Sequence, residues 1–203
     1  PTTQDEGENN GVWDSTETVV VDLNGNETFD PPLKQMEGSY VLGNREALWT
    51  NWYLNGMRKE EANYSSGKLN GSIIRWHENG NRSEEGTYES GKHDGRWVWY
   101  YDTGIKKELT KFLDGQQNRL WIQWFSDGSK KSERKFANGE RDSIWTSWFD
   151  NGNKKFQATY KSGKLNGGWT SWYEGGIIKE KSGSYLNNKL DQNIIRKGIK
   201  KDW

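Results

Sequence analysis

Aromatic residues recur along this chain at a constant interval of 24 positions, and polar residues fill the space between them. Four columns run in register: Tyr40, Tyr64, Tyr88, Phe112, Phe136 and Tyr160; Trp49, Ile73, Trp97, Trp121, Trp145 and Trp169; Trp52, Trp76, Tyr100, Trp124, Trp148 and Trp172; and Tyr53, His77, Tyr101, Phe125, Phe149 and Tyr173. Self-similarity at a fixed period is the signature of a repeat architecture. The pattern therefore predicts six tandem repeats of 24 residues.

Glycines keep the same interval. Two full columns are Gly56, Gly80, Gly104, Gly128, Gly152 and Gly176, and Gly43, Gly67, Gly91, Gly115, Gly139 and Gly163. The first column usually follows Asn or Asp, and such dipeptides between alternating segments are a strong hairpin signal. A third column contains Gly71, Gly95 and Gly167, with Ala47, Arg119 and Ser143 in the other repeats. We therefore expect this third position to accept ordinary φ values in some repeats.

Each repeat is predicted to be a strand, a tight turn, a second strand and a longer turn. In the second repeat these segments are 72–77, 78–80, 81–88 and 89–95. The ring-rich segments favour strands, and strands joined by short turns pair antiparallel. The predicted fold class is all-β: an elongated, twisted, single antiparallel β-sheet, a meander of tandem 24-residue hairpin repeats. Trp49 and Trp52 should point to opposite faces, one column packing as core and the other on the back or beside a bulge.

The chain is expected to divide into four segments. These are a disordered tether at 1–12, a degenerate N-terminal hairpin cap at 13–37, a repeat domain at 38–188, and a C-terminal capping strand and tail at 189–203. Atypical terminal repeats are expected because they must cap an open end. A partial seventh repeat has Asn188 in place of its turn glycine. The polar start suits either a linker behind a removed export signal or a trimmed terminus, and we expect an extracytoplasmic location over a cytoplasmic one.

Composition restricts the classes of partner. Apolar residues are 31% of the chain and aromatic residues 14%, so rings must supply much of the core. Lys+Arg and Asp+Glu are equal at 29 each, which removes the electrostatic case for nucleic acid. Cysteine is absent, which excludes disulfides and thiolate chemistry. No apolar run approaches the length of about 20 residues that a membrane span needs.

No recognisable catalytic or metal-binding motif is present in the sequence. His77 replaces a ring in an aromatic column, and His93 is predicted to lie in a turn. Oxygen-bearing residues alternate at 22–26 as calcium ligands do, but Glu27 stands where that loop needs glycine, so a hairpin turn is favoured. We expect no enzymatic activity, no cofactor and no metal.

Repeats of the form Tyr-x-x-Gly-Lys-x-x-Gly-x-Trp-x-x-Trp-Tyr-x-Asn-Gly-x-x-x-x-Glu resemble the variant MORN repeat of bacterial proteins. The resemblance covers about 38–188, with departures at Thr103 and Gly175 for the turn Asn and at Ser132 and Phe156 for the Glu. It implies an elongated, curled sheet without enzymatic activity. It also implies an antitoxin or immunity-type protein, or an exported lipoprotein. Classical MORN repeats are linked to membrane lipids and protein scaffolding.

A basic row also follows the repeat, at Arg58, Arg82, Lys106, Lys130 and Lys154. Glu60, Glu84 and Glu108 come two positions later and are predicted on the same face. Two interpretations stay open. The row is either solvated charge that pairs across strands, or a stripe for an acidic partner that is stronger near 130–155, where the acidic row lapses.

The aromatic columns are likewise either core or, if one face is open, a surface that stacks on sugars or anchors apolar side chains. The predicted partner-binding residues are Trp99, Arg82, Lys106, Lys130, Lys154, Trp124 and Trp148. Trp99 is included because it lies outside the columns. The predicted function is a non-enzymatic repeat scaffold that binds another protein along its sheet. A carbohydrate-binding module is the alternative, and binding to a lipid surface is the weaker one.

Overall fold

The computed structural model describes residues 35–176 and 179–190, and these form strands and turns without a helix. The chain separates into two compact halves, an N-terminal half that ends at Gly104 and a C-terminal half that begins at Ile105. The predicted all-β meander of hairpin repeats is confirmed, because the strands pair antiparallel with their chain neighbours within each half. The segment predicted at 1–12, the predicted cap up to residue 34, and the tail beyond Leu190 lie outside the described residues, whereas the last residues of the predicted cap belong to β1.

Fifteen strands are present in the described ranges. Those of the N-terminal half are β1 (Met36–Val41), β2 (Asn44–Trp52), β3 (Arg58–Ser65), β4 (Lys68–Trp76), β5 (Arg82–Glu89) and β6 (Lys92–Tyr100). Those of the C-terminal half are β7 (Lys106–Leu113), β8 (Gln116–Gln117), β9 (Arg119–Trp124), β10 (Lys130–Ala137), β11 (Glu140–Trp148), β12 (Lys154–Lys161), β13 (Lys164–Trp172), β14 (Lys179–Leu186) and β15 (Lys189–Leu190). The short strand β8 pairs only with β7.

The tight turn and the longer turn of each repeat lie in the opposite places to those predicted. The connection predicted as long, 89–95, contains a two-residue turn at Ser90 and Gly91, whose φ angles are 50° and 82°. Two positive φ angles give the turn twist that matches the flanking strands. The Asn-Gly connection is the longer one and spans 77–81, where the Gly80 amide donates to the His77 carbonyl at 2.9 Å. The glycine column marked only the second position of the tight turn, so its first position was missed.

The third glycine column is a β-bulge inside a strand and not a loop. The prediction of ordinary φ there was wrong, because Ala47, Arg119 and Ser143 have φ angles of 57°, 70° and 58°. Across this position the register moves from the pair Glu37 and Thr50 to the pair Ser39 and Glu46, which leaves extra residues on β2. A bulge imposes this backbone conformation whether or not glycine is present. Asn188, with φ 66°, does take the turn position that the sequence assigned to it.

Each bulge allows an indole ring to fold over the neighbouring strand. Trp97 is fully buried and lies so close to Gly86 that a Cβ on that glycine would be 2.2 Å from the ring. Its Nε1 donates to the Thr87 carbonyl at 3.0 Å. Trp49 lies over Gly38 in the same way, while Trp52 is half-buried beside a bulge, as predicted. In the N-terminal half the core therefore consists of the indoles of Trp49 and Trp97 seated on glycines, with Ile73 between them in the same column.

Candidate partner-binding grooves

A ladder of polar side chains crosses the core face of the N-terminal half, which is the face that carries Trp49. Arg75 lies at its centre, between Glu60, at 2.5 Å from Nε, and Glu84. Asn51 donates to Glu60 at 3.0 Å, and Trp99 donates to Glu84 at 3.1 Å. Burial alone would lower the pKa of Arg75, but the hydrogen bond to Glu60 and the charges of both carboxylates raise it. The Arg75 guanidinium is therefore already paired with carboxylates of the same protein.

The basic row does not share a face with these carboxylates, which corrects the prediction. Asn51 pairs with Glu60, but the next residue, Trp52, pairs with Arg58, so a bulge at this point turns Arg58 to the opposite, outer face. The partner of Arg58 is Glu61 at 2.8 Å. The equivalent residues of other repeats form the same kind of pair: Arg82 contacts Glu85 at 2.5 Å, and Lys130 contacts Glu133 at 2.8 Å.

One groove, here called the first groove, lies where the core face of the N-terminal half meets the five-residue loops. Its volume is about 820 Å³, and its walls include Trp52, Tyr53, Lys59, Glu60 and Arg75. The Tyr53 hydroxyl donates to the Trp76 carbonyl at 2.7 Å, which fixes one aromatic wall. Leu54, at the rim, is 63% exposed. The first groove thus has aromatic walls and an apolar residue at its rim. The charge of Arg75, which also lines it, is neutralised by glutamates.

A second groove occupies the equivalent place in the C-terminal half, since Trp148 and Phe149 follow Trp52 and Tyr53 by 96 positions, four repeats of 24. Its volume is about 360 Å³. The cations that line it are Lys131, Arg134 and Lys155, and its carboxylates are Asp150 and Glu174. In the positions of Glu60 and Arg75 this half has Phe156 and Ser171. The charged ladder of the first groove is therefore not repeated here.

Arg134 gives the second groove its distinctive chemistry. The guanidinium carbon lies 4.8 Å from the ring centre of Trp121 and 5.3 Å from that of Trp145. Burial lowers the pKa of Arg134, and the positive charge of Arg141 lowers it further. Among the described residues no carboxylate lies within 4 Å of this guanidinium. The charge of Glu108 only partly offsets these effects, so a half-buried cation is held between rings with no ion-pair partner within 4 Å among the described residues.

The structure distributes the predicted partner-binding residues over several environments. Trp148 lines the second groove, with Lys130 at 5.4 Å from its ring centre. Lys154 lies 5.8 Å from the Trp172 ring. Trp99 is stacked on Trp97 with ring centres 5.6 Å apart. The remaining three are Arg82, which is paired with Glu85, Lys106, which is exposed, and Trp124, which is half-buried.

Three groove cations were missed at the sequence level: Lys131, Arg134 and Lys155. A signal for Arg134 was present, since its column otherwise holds small residues: Gly38, Ala62, Gly86, Thr110 and Ala158. A large cation in a column of small residues marks a local change in packing. Lys131 and Lys155 follow the basic row by one position, and only the bulge directs them toward the groove edge.

The two histidines occupy packed positions. His93 lies in β6 and not in a turn, which corrects the prediction, and its ring centre is 4.1 Å from that of Trp97. Burial lowers the pKa of His93. The His77 Nε2 lies 3.2 Å from the Tyr100 carbonyl oxygen. Over the described ranges, no group of three or more His, Cys, Asp or Glu side chains could hold a metal ion. The same ranges contain no helix with the length and apolarity to cross a membrane.

These features define an all-β repeat protein with two related grooves. A family model described as the MORN repeat variant matches residues 69–90 and 141–162, so the variant repeat is found at one place in each half. The matched segments cover most of β4 and β5 and of β11 and β12. A search of curated proteins gave no match.

Proposed function

We propose that this chain is a non-enzymatic scaffold that binds another protein along the groove-bearing face of its repeats. The observation that carries the proposal is the recurrence of an aromatic-walled groove at equivalent positions in the two halves. Clefts with aromatic walls and apolar rims are the usual places where a partner's side chains are anchored. Leu54, which lines the first groove, is an exposed apolar side chain of this kind, at 63% exposure.

The environments of the histidines support a role without catalysis. The imidazole of His93 is packed between the ring of Trp97 and the Tyr88 hydroxyl, which lies 3.0 Å from its Nε2. The resemblance to bacterial variant repeats adds a narrower hypothesis. On that hypothesis the partner is a protein that this chain neutralises or organises, as an antitoxin, an immunity-type protein or an envelope scaffold would.

Carbohydrate binding is the alternative, and ring exposure is the observation that weighs against it. Sugar stacking needs an open aromatic face, whereas Trp49 and Trp97 are 1% and 0% exposed. In the outer column, ammonium groups lie over the rings of Trp148 and Trp172. A glycan array with the full chain tests this alternative, and a specific neutral oligosaccharide hit would favour it.

The protein-binding proposal is tested by capture from an extract of the source organism with the full chain and with Leu54→Asp. Aspartate occupies the equivalent position 150, so the substitution suits the fold. We expect one protein retained at near-stoichiometric yield and at least fivefold less of it with the variant. Retention of nothing above the bead control, or equal retention by both, would reject binding at the first groove. A Leu48→Asp variant, whose substituted residue is 50% exposed and away from the groove lining, is the matched control and should retain the partner fully.

A further inference from the structure

The second groove differs from the first in how its cations are paired. In the first groove, Arg75 is bonded to Glu60 and Glu84. In the second, none of the described carboxylates lies within 4 Å of the charged groups of Lys131, Arg134 or Lys155. Formal charge does not separate the two grooves, since each is lined by three cations and two carboxylates. Arg45 and Lys59 of the first groove likewise have no carboxylate within 4 Å among the described residues, so the difference lies in one guanidinium: Arg75 is paired with glutamates of its own half, whereas Arg134 is available to an external anion.

Arg134 is the cation that gains most from an anionic ligand. Its guanidinium is already partly desolvated between two indoles, and it has lost water without gaining a carboxylate. A planar guanidinium binds a carboxylate through two parallel hydrogen bonds, which are stronger than those between neutral groups. The stacking also fixes the orientation of the guanidinium, so little side-chain entropy remains to be lost on binding.

The spacing of the two lysines indicates an extended ligand. Lys131 and Lys155 are one repeat apart on β10 and β12, with β11 between them, so their backbones are separated by about 10 Å. In a peptide with the extended polyproline II conformation, which has three residues per turn, residues i and i+3 point to the same side and are about 9 Å apart. The ammonium groups of the two lysines lie over different rings, those of Phe125 and Phe149. A ligand that carries several anionic groups along a chain matches this spacing better than a single carboxylate or phosphate.

The walls of the groove favour a peptide over a polyanionic glycan. Lys131 lies 5.5 Å from the Phe125 ring centre and Lys155 lies 5.3 Å from that of Phe149, so ammonium groups cover ring faces on which a sugar would stack. The ring edges and the hydroxyl of Ser147 stay in the lining and suit apolar side chains and peptide groups.

We propose that the second groove binds an extended, acidic segment of the partner protein. Arg134 takes one carboxylate in a bidentate pair, and Lys131 and Lys155 take carboxylates about three residues apart along the segment. This inference rests on the proposed protein-binding function and adds the chemistry of the bound segment.

The test measures fluorescence anisotropy of a labelled peptide, Gly-Glu-Gly-Leu-Glu-Gly-Leu-Glu-Gly, against the full-length chain. We expect saturable binding that weakens as salt rises, because the cations are partly exposed. Replacing every Glu of the peptide by Gln should abolish it. The variant Arg134→Ala should lower affinity at least tenfold, and alanine is native at the equivalent positions 62 and 158, so the fold should persist. Arg134→Lys should lie between the two, since it keeps the charge and loses the bidentate geometry.

Matched lysine variants locate the binding in the second groove. Lys155→Ala should weaken binding at least threefold, whereas Lys59→Ala, at the equivalent position of the first groove, should leave it unchanged. Equal affinities for the unmodified chain and Arg134→Ala, or no binding at 1 mM chain (roughly the weakest affinity counted as specific), would overturn the inference. Arg134-dependent binding of heparin oligosaccharides or phosphatidylserine vesicles, but not of the peptide, would overturn it in favour of those ligands.

The outcome is distinguishable from that of the capture experiment. If a partner is retained in a manner sensitive to Leu54→Asp but not to Arg134→Ala, the scaffold function stands and only the acidic-segment inference fails. If neither the partner nor the peptide binds, both fail.

Discussion

The two halves of this protein build the same repeat around different residues. In the N-terminal half, Tyr88 and Trp97 meet edge to face at 5.0 Å and 86°, and the indole lies flat on Gly86. In the C-terminal half the equivalent of Gly86 is Arg134, and the rings of Phe136 and Trp145 are tilted at 54°. Trp97 is buried, whereas Trp145 is half-buried. A guanidinium side chain in place of a hydrogen atom thus accompanies a more open ring packing, on which the proposed binding of an acidic segment depends.

The ladders of polar side chains in the two halves also differ in their charge. The N-terminal ladder is closed by ion pairs between Arg75 and two glutamates. In the C-terminal half, Gln123 donates to Glu108 and accepts from Ser132, both at 3.0 Å, so the ladder becomes neutral as it advances. The comparison shows that the central guanidinium of the N-terminal ladder is neutralised by two glutamates. The guanidinium of Arg134 in the C-terminal half has no carboxylate within 4 Å among the described residues.

The largest expected effect separates the two indole environments. Trp97→Ala should lower the free energy of unfolding by about 4 kcal/mol, because it removes a fully buried ring and leaves a cavity. Trp145→Ala should cost about 2 kcal/mol, since that ring is half-buried. Urea titration followed by circular dichroism measures both. Tyr173→Ala, at an exposed ring, is the control, and equal losses at 97 and 145 would contradict the difference in packing.

The next effect concerns the ion pairs of the N-terminal half. Arg75→Gln should cost about 2 kcal/mol, because Glu60 and Glu84 would keep their charges without the cation between them. Arg58→Gln, which breaks the more exposed pair with Glu61, should cost about 0.5 kcal/mol. Chemical denaturation at low and high salt measures the two. The prediction fails if both variants lose the same small amount.

A smaller effect of opposite sign is expected within the C-terminal half. The Thr110 hydroxyl is buried without a hydrogen-bond partner, so Thr110→Val, which keeps the shape of the side chain and its buried methyl group, should be neutral or stabilise by up to about 1 kcal/mol. Ser132→Ala removes the hydroxyl that bonds Gln123 and should destabilise by about 1 kcal/mol. Thermal melts of the two variants under one set of conditions provide the measurement, and destabilisation by Thr110→Val would show that the hydroxyl has a partner.

The smallest effect is a pH dependence confined to the N-terminal half, which contains both histidines. The folded-state pKa of His93 is lowered by burial, so protons bind the unfolded chain more readily. Stability should therefore be complete above the unfolded pKa of about 6.5 and should fall as the pH drops below it. Denaturant midpoints at pH 7.5 and 5.5 should differ less for His93→Leu, which has the residue native at Leu69 and Leu165. An unchanged difference in His93→Leu would remove His93 as its source.

Much of the fold could be predicted from the sequence because its main signals are local. A 24-residue interval between rings predicts tandem hairpins even when the exact ends of the strands are unknown. The groove chemistry was harder to predict because it depends on register. A bulge beside Lys59 reverses the face of every residue beyond it, so Arg58 and Glu60 separate although they are two positions apart.

By itself, the sequence determined the period, the antiparallel hairpins and the use of aromatic rings as core, because these follow from residue spacing and side-chain type. Only the tertiary structure decided which turn is tight, which strand positions take positive φ without glycine, and which cations have counter-ions. The physical reason is that bulges and cross-strand contacts join residues ten to twenty positions apart. Trp97 reaching the Thr87 carbonyl and Arg75 reaching Glu60 are examples of such contacts.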